Sequence, residues 1–230
     1  MERLTREQVR RSVKEKGDVS GHDLSGLNLS KLDLIAVRFS GCNLRGADLS
    51  GSNLCMSHFD DADLSDCNLS SANFAGASFR KAIIEQADLT FSSFIGADFS
   101  EANLKKANFT NSKISAANFH KADLSEANLQ MTEAVLIRME GAALQKVNAF
   151  ASSMIGADLS HTDLRGAMLH GTDLSGANMS SADLREATFI EPILVAANLN
   201  SADLRGASMN NVEMERAQTE GTLIDDKGAQ

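Results

Sequence analysis

Tryptophan and tyrosine are missing from this chain of 230 residues, and proline occurs once. Cysteine occurs three times. That odd number argues against a disulfide framework, and no two of the cysteines have the spacing of a metal-binding pair. No apolar run approaches the roughly 18 residues needed to cross a bilayer, and the basic N-terminus lacks the pattern of a signal peptide. A soluble, cytoplasmic protein without a membrane partner is expected. Charge is present but unbalanced, with 31 acidic against 22 basic residues and a net charge of −9. Composition alone, 43% apolar, allows one domain with a large core of any globular class.

What the chain does have is a period. Ala47-Asp48-Leu49-Ser50-Gly51 is followed at once by Ser52-Asn53-Leu54, and Ala62-Asp63-Leu64-Ser65 comes soon after. The unit is a small residue, Asp or Asn, a large apolar centre, then two small or polar residues. Stepping by five from Leu24 to Met214 gives 39 centres, of which 21 are Leu, 9 Phe, 5 Met, 2 Ile and 2 Ala. Two residues before the centre, Ala occurs 21 times and Ser, Thr or Cys 10 times. Such a short period, never slipping, means that each unit buries its centre only by stacking on copies of itself.

The period also has a higher order. Phe39, Phe59, Phe79, Phe99 and Phe119 fill one column at 20-residue spacing, continued by Met139, while the column from Leu24 to Leu204 holds no Phe. Like residues 20 apart are what stacked coils of four units favour, because each side chain packs on its equivalent in the next coil.

Ala122-Asp123-Leu124-Ser125-Glu126-Ala127-Asn128-Leu129 follows the consensus A(D/N)LXX, and the pattern over roughly residues 22–217 resembles the pentapeptide-repeat family. The resemblance implies an all-β solenoid, a right-handed quadrilateral β-helix of about ten four-sided coils with centre and small residue pointing inward. A fold this widely shared implies no single function.

Three segments flank the repeat or depart from it. Residues 1–21 are expected to form a capping helix and linker, 22–217 the β-helix, and 218–230 a C-terminal tail. Thr5-Arg6-Glu7-Gln8 reads as a capping box, and Leu4 with Val9 has the spacing of a hydrophobic staple, so a helix should start near Arg6 and end at Gly17. Its stripe of Leu4, Val9 and Val13 suits a lid over an open end of the β-helix, and Leu27, Leu32 and Val37 replace the usual Ala where such a lid would pack. A basic targeting helix is the alternative. Between Met131 and Phe150, small centres at Ala134 and Ala149 face large residues at Ile137 and Val147, which predicts a repacked coil, with a local break as the alternative. Pro192 is expected to remove a ladder donor and mark a kink. Leu223 and Ile224 are expected to fold over the last coil, and Asp225-Asp226-Lys227-Gly228 to make a turn.

With the interior filled by side chains, function falls to the outer surface. The two residues after each centre sort into four stripes. One of them runs from Ile35 to Val195 almost without charge and is read as a flat apolar side suited to association. Its candidate partner-binding residues are Ile35, Ile95, Val135, Leu136, Ile155 and Val195. The alternative is a run of β-formers tolerated on a sheet face. A second stripe sets Arg165, Arg185 and Arg205 beside Asp163, Asp183 and Asp203, which predicts mutual neutralisation rather than a nucleic-acid site. Of the five histidines, no two share a column in adjacent coils, and none stands beside a Ser or Cys in a nucleophile arrangement. No enzyme activity, catalytic residue, metal or cofactor is therefore expected.

The function expected is a non-enzymatic scaffold that presents a rigid prism to an unidentified protein partner or to a second copy as a homodimer. The family resemblance supplies an alternative, since some acidic members resemble a DNA duplex and bind DNA gyrase or topoisomerase IV. The 24 acidic against 15 basic residues from His22 to Ala217 favour it. The matched Arg and Asp columns, and the lack of an inserted loop, oppose it. A secreted effector with a non-cleaved signal in residues 1–21 is a third class.

Overall fold

The five-residue period divides into three residues of extended chain and two of turn. In the extended part the small residue and the centre point inward and the residue between them outward, the two-residue alternation of a strand. Ala97 and Phe99 are buried while Asp98 is half-buried. The next two residues form a corner. Across it the amide of the following small residue donates back to the centre's carbonyl, as from Ala47 N to Leu44 O at 2.8 Å. The second corner residue has positive φ, 65° at Gly46 and 56° at Leu136, as a type II turn requires. In the computed structural model, which describes residues 1–15 and 17–225, this geometry recurs along the chain.

The corner also explains the Asp or Asn that precedes most centres. Its Oδ1 accepts the amide of the first corner residue: Asp48 from Ser50 at 2.9 Å, Asp98 from Ser100 at 3.0 Å, Asn128 from Gln130 at 3.1 Å. This is the Asx turn, which only a short side chain with an acceptor can make.

Four corners return the chain to its starting side after 20 residues. Parallel bridges join each outward residue to the one 20 further on, from Arg3↔Asp23 to Asp203↔Leu223. Centre amides donate to the next coil, as Phe79 N does to Asp98 O at 2.7 Å, and corner amides do the same, as Gly76 N does to Ile95 O at 3.0 Å. Pairing widens into strands at β1 (Thr188–Ile190) and β2 (Ser208–Asn210), which are parallel with Phe189 opposite Met209. Inside, the Phe column is a stack of rings with centroids 4.8, 4.9, 4.7 and 4.6 Å apart from Phe39 to Phe119. A second stack, Phe74 on Phe94 at 4.8 Å, meets it edge to face, with Phe74 to Phe79 at 5.5 Å.

Buried hydroxyls have a place that the sequence reading overlooked. Ser92 Oγ donates to Leu69 O at 2.7 Å and accepts from Ala72 N at 3.0 Å, so it sits in the open turn of the coil before it. Ser52 does the same between Leu29 O and Leu32 N. The thiols behave similarly: Cys42 donates to Val19 O and Cys67 to Leu44 O, both at 2.9 Å. Burial pushes the Cys67 thiol up to about 12.

The N-terminal helix, α1 (Arg6–Glu15), starts as its capping box dictates. Gln8 N donates to Thr5 Oγ1 at 3.3 Å, and Thr5 N to Gln8 Oε1 at 2.8 Å. Leu4 and Val9 are both buried. Gly17, with φ 61°, donates its amide back to Ser12 O at 3.0 Å. The ladder reaches both sides of this helix, through Arg3↔Asp23 and Asp18↔Arg38. A boundary at residue 21 thus falls inside a coil, in which α1 replaces two sides. Arg6 holds the helix down on Asn28 Oδ1 at 2.6 Å and Ser30 O at 3.2 Å.

Two expectations change, and a third, the repacked coil at 131–150, holds. Pro192 removes no ladder donor, because the amide at that position of the repeat bonds within the turn, as Ala197 N does to Leu194 O at 3.0 Å. Its ladder neighbours keep their bonds, Glu191 N to Asn210 O at 2.9 Å and Ile193 N to Thr172 O at 3.0 Å. Leu223 and Ile224 do not fold inward; both are exposed. Leu223 holds an outward ladder position opposite Asp203. The segment 131–150 is an unbroken coil, with Ala134, Ile137 and Ala149 buried. The expected turn at 225–228 runs outside the described residues.

The Phe stack yields a test of the inside-outside assignment. Phe79→Ala should cost on the order of 3 to 5 kcal/mol in chemical denaturation, and Ser50→Ala, at an outer corner, well under that. Equal losses would overturn the assignment.

Candidate interaction surface

The stripe from Ile35 to Val195 is an edge of the prism, not a flat side. The two residues after a centre are the corner itself, so the flat sides carry the outward ladder residues instead. On this edge Ile35, Ile95, Leu136 and Ile155 are exposed, while Val135 and Val195 are half-buried. Met56, 57% exposed with φ 56°, belongs to the same edge, as does Leu136, 62% exposed with φ 56°. A bulky side chain at positive φ is conformationally unfavourable. Exposing it adds nothing to the core, so folding does not account for these residues.

A second apolar edge lies across one side from the first, where the sequence suggested no interaction site. Phe91, Met131, Phe150 and Ile190 are exposed on it, Phe91 at 65%. Each follows a centre in the column from Leu29 to Met209, one side before the column from Leu34 to Met214. The two edges therefore bound the same side. Between them run Ser93, Lys113, Glu133, Ser153 and Asp173, joined by successive bridges. Nine of the fourteen exposed large apolar residues stand on these two edges, and the other two edges carry none among the described residues. The signal was available as a column sort, but only the corner geometry shows that the edges share a side.

On the opposite side the predicted neutralisation takes the form of a ladder. Arg165 bonds Asp163 at 2.6 Å and reaches Asp183 at 3.6 Å; Arg185 bonds Asp183 at 2.6 Å and reaches Asp203 at 3.7 Å; Arg205 bonds Asp203 at 2.6 Å. The hydrogen bond from Arg205 holds the Asp203 carboxyl down at about 2, and Arg165 and Arg185 likewise lower Asp163 and Asp183. A surface depression of about 370 Å³ between Gln145, Lys146, Arg165 and Arg185 is open to solvent and crossed by these pairs.

Three of the five histidines make local contacts. His22 Nδ1 lies 3.0 Å from Val19 O, His170 Nε2 lies 2.9 Å from Thr188 Oγ1, and His120 Nδ1 lies 3.6 Å from Glu140. Among the described residues no three His, Cys, Asp or Glu side chains are grouped to hold a metal ion, and no helix is long and apolar enough to cross a membrane.

The pentapeptide-repeat pattern matches eight copies over residues 20–55, 57–90, 92–130, 142–180 and 182–218. The chain belongs to the pentapeptide-repeat family. It shares the right-handed quadrilateral β-helix of that family, whose members are structural scaffolds. HetL, a pentapeptide-repeat protein involved in heterocyst differentiation regulation from the cyanobacterium Nostoc, superposes with a TM-score of 0.85 at 26% identity, covering 99% of this chain and 100% of HetL. A trypsin-treated form of QnrB1, a plasmid-mediated fluoroquinolone resistance protein, superposes with a TM-score of 0.53 at 20% identity, covering 85% of this chain and 92% of that one. The second likeness bears on fold alone. No curated protein matches the chain in sequence.

The ion ladder predicts a pH dependence. Because the folded Asp203 carboxyl lies below the ordinary value near 4, its contribution to stability is complete above about 4. It is lost as pH falls through about 2. The Asp203 carboxyl resonance should titrate near 2, and Arg205→Ala should raise that midpoint toward the ordinary value. An unmoved midpoint would remove the guanidinium as the cause.

Proposed function

We propose that this protein is a non-enzymatic, cytoplasmic scaffold that binds a protein partner on the side bounded by its two apolar edges. The prism has about ten coils, with α1 closing its N-terminal end. The observation that carries this reading is the concentration of exposed apolar residues on those two edges, several at backbone positions that suit glycine better. Apolar exposure of that extent marks association surfaces. Full-length likeness to HetL, a protein involved in heterocyst differentiation regulation, supports the reading, and so do three free cysteines, two of them buried. Affinity capture tests it. Ile95→Lys with Ile155→Lys should leave the melting temperature nearly unchanged and weaken a captured partner by about tenfold or more. Lys106→Glu, on the opposite edge, should retain that partner. Capture that is indifferent to the paired substitution would sink the proposal.

The net charge of −9 favours a second reading, a DNA-like surface for DNA gyrase or topoisomerase IV, and QnrB1 has the same fold. The Arg and Asp ladder works against it, because a duplex mimic needs unneutralised negative potential. Titration into a gyrase supercoiling assay from nanomolar to tens of micromolar separates the two. Inhibition would bring the gyrase reading to the front, and no effect would leave the apolar side.

A further inference from the structure

The side bounded by the two apolar edges is self-complementary, and we infer that its partner is a second copy of this chain, bound face to face and antiparallel. This inference rests on the interaction surface proposed above. Down the middle of the side the bridged order is Ser93, Lys113, Glu133, Ser153. About the midpoint between Lys113 and Glu133 the order is symmetric except that the charge changes sign. The edges follow the same centre: Ile95 is as far on one side of it as Ile155 is on the other, and the corner of Phe91 is as far as that of Phe150.

A two-fold axis that lies in the plane of this side, across the prism at that midpoint, brings each residue onto its counterpart. Ile95 then meets Ile155 of the second copy, the corner of Phe91 meets that of Phe150, and Lys113 meets Glu133. This is an isologous contact, in which one patch serves both copies. The charges choose the direction. A two-fold axis along the prism would place Lys113 on Lys113 and Glu133 on Glu133, which like-charge repulsion disfavours. Within one chain Lys113 and Glu133 already pair at 3.4 Å, with 55% and 60% of their side chains exposed, and two such pairs close into a ring of four alternating charges.

The ends of the contact follow from the same rule. Asn73 meets Asp173 and Cys55 meets Val195, with no like charges opposed. One row further out Asp33 would meet Glu213, so the contact ends there. Eight rows at about 4.8 Å per coil are roughly 38 Å long, and on a side about 15 Å wide they bury on the order of 1,000 Å² over both copies, the lower end of specific interfaces.

Sedimentation of the full chain across the micromolar range tests the inference. Wild type should be a dimer. Lys113→Glu alone gives a face with two negative charges and Glu133→Lys alone a face with two positive ones, so each should raise the dimer dissociation constant by about tenfold or more. Mixing the two variants should restore the dimer, because opposite faces then meet. A purely internal role for the ion pair predicts no such rescue. A wild type that stays monomeric to about 100 μM, well above the Kd of specific interfaces of this class, would overturn the inference. A dimer indifferent to both reversals, or one that mixing does not rescue, would also overturn it. The two readings fail separately. A monomeric wild type whose captured partner still depends on Ile95 and Ile155 sinks the dimer alone.

Discussion

The structure depends on hydrogen bonding between coils at a register of 20 residues. Each centre and each second corner residue donates its amide to the carbonyl 19 positions ahead, at distances mostly between 2.6 and 3.1 Å. This single spacing sets the rest. It stacks Phe on Phe at under 5 Å, aligns the outward residues into ladders, and places like corners above one another. An insertion of one residue would turn a centre outward and break every bond downstream of it in that coil. A frame that never slips across 39 centres is the sequence counterpart of that constraint.

Within this register the five positions carry unequal demands. The centre and the small residue fill a closed interior. The Asp or Asn supplies an acceptor to the corner, so most of the chain's aspartates and asparagines are engaged in turns. Only the two corner residues and the substitutions along the ladder are free. At the second corner position the backbone favours glycine, yet Met56, Phe91, Met131 and Leu136 stand there. The same freedom produces the Arg and Asp ladder on one side and the apolar edges around another.

Much of this was legible in advance, because a short period couples local sequence to global geometry. The four-sided coil showed in the Phe column, and the start of α1 in Thr5 and Gln8. The unbroken coil at 131–150 showed in a frame that never slips. Pro192 was misjudged because a linear pattern does not say which amides point to the next coil and which close the turn. The apolar stripe was misplaced from an edge to a side for the same reason. The hydroxyl column of Ser52 and Ser92 was counted as small residues, although each bridges a turn in the coil before it.

The sequence by itself determined the register, the inward and outward residues, and the family, since all three are properties of a period that any copy of the unit repeats. Only the tertiary structure decided which amides the corners consume, and that two apolar edges flank one side with Lys113 and Glu133 at its centre. Residues such as Phe91, Lys113 and Ile155 are scattered along the chain and have no relation in its linear order. They become neighbours on one surface because stacked coils convert separations of 20 residues into steps of about 4.8 Å.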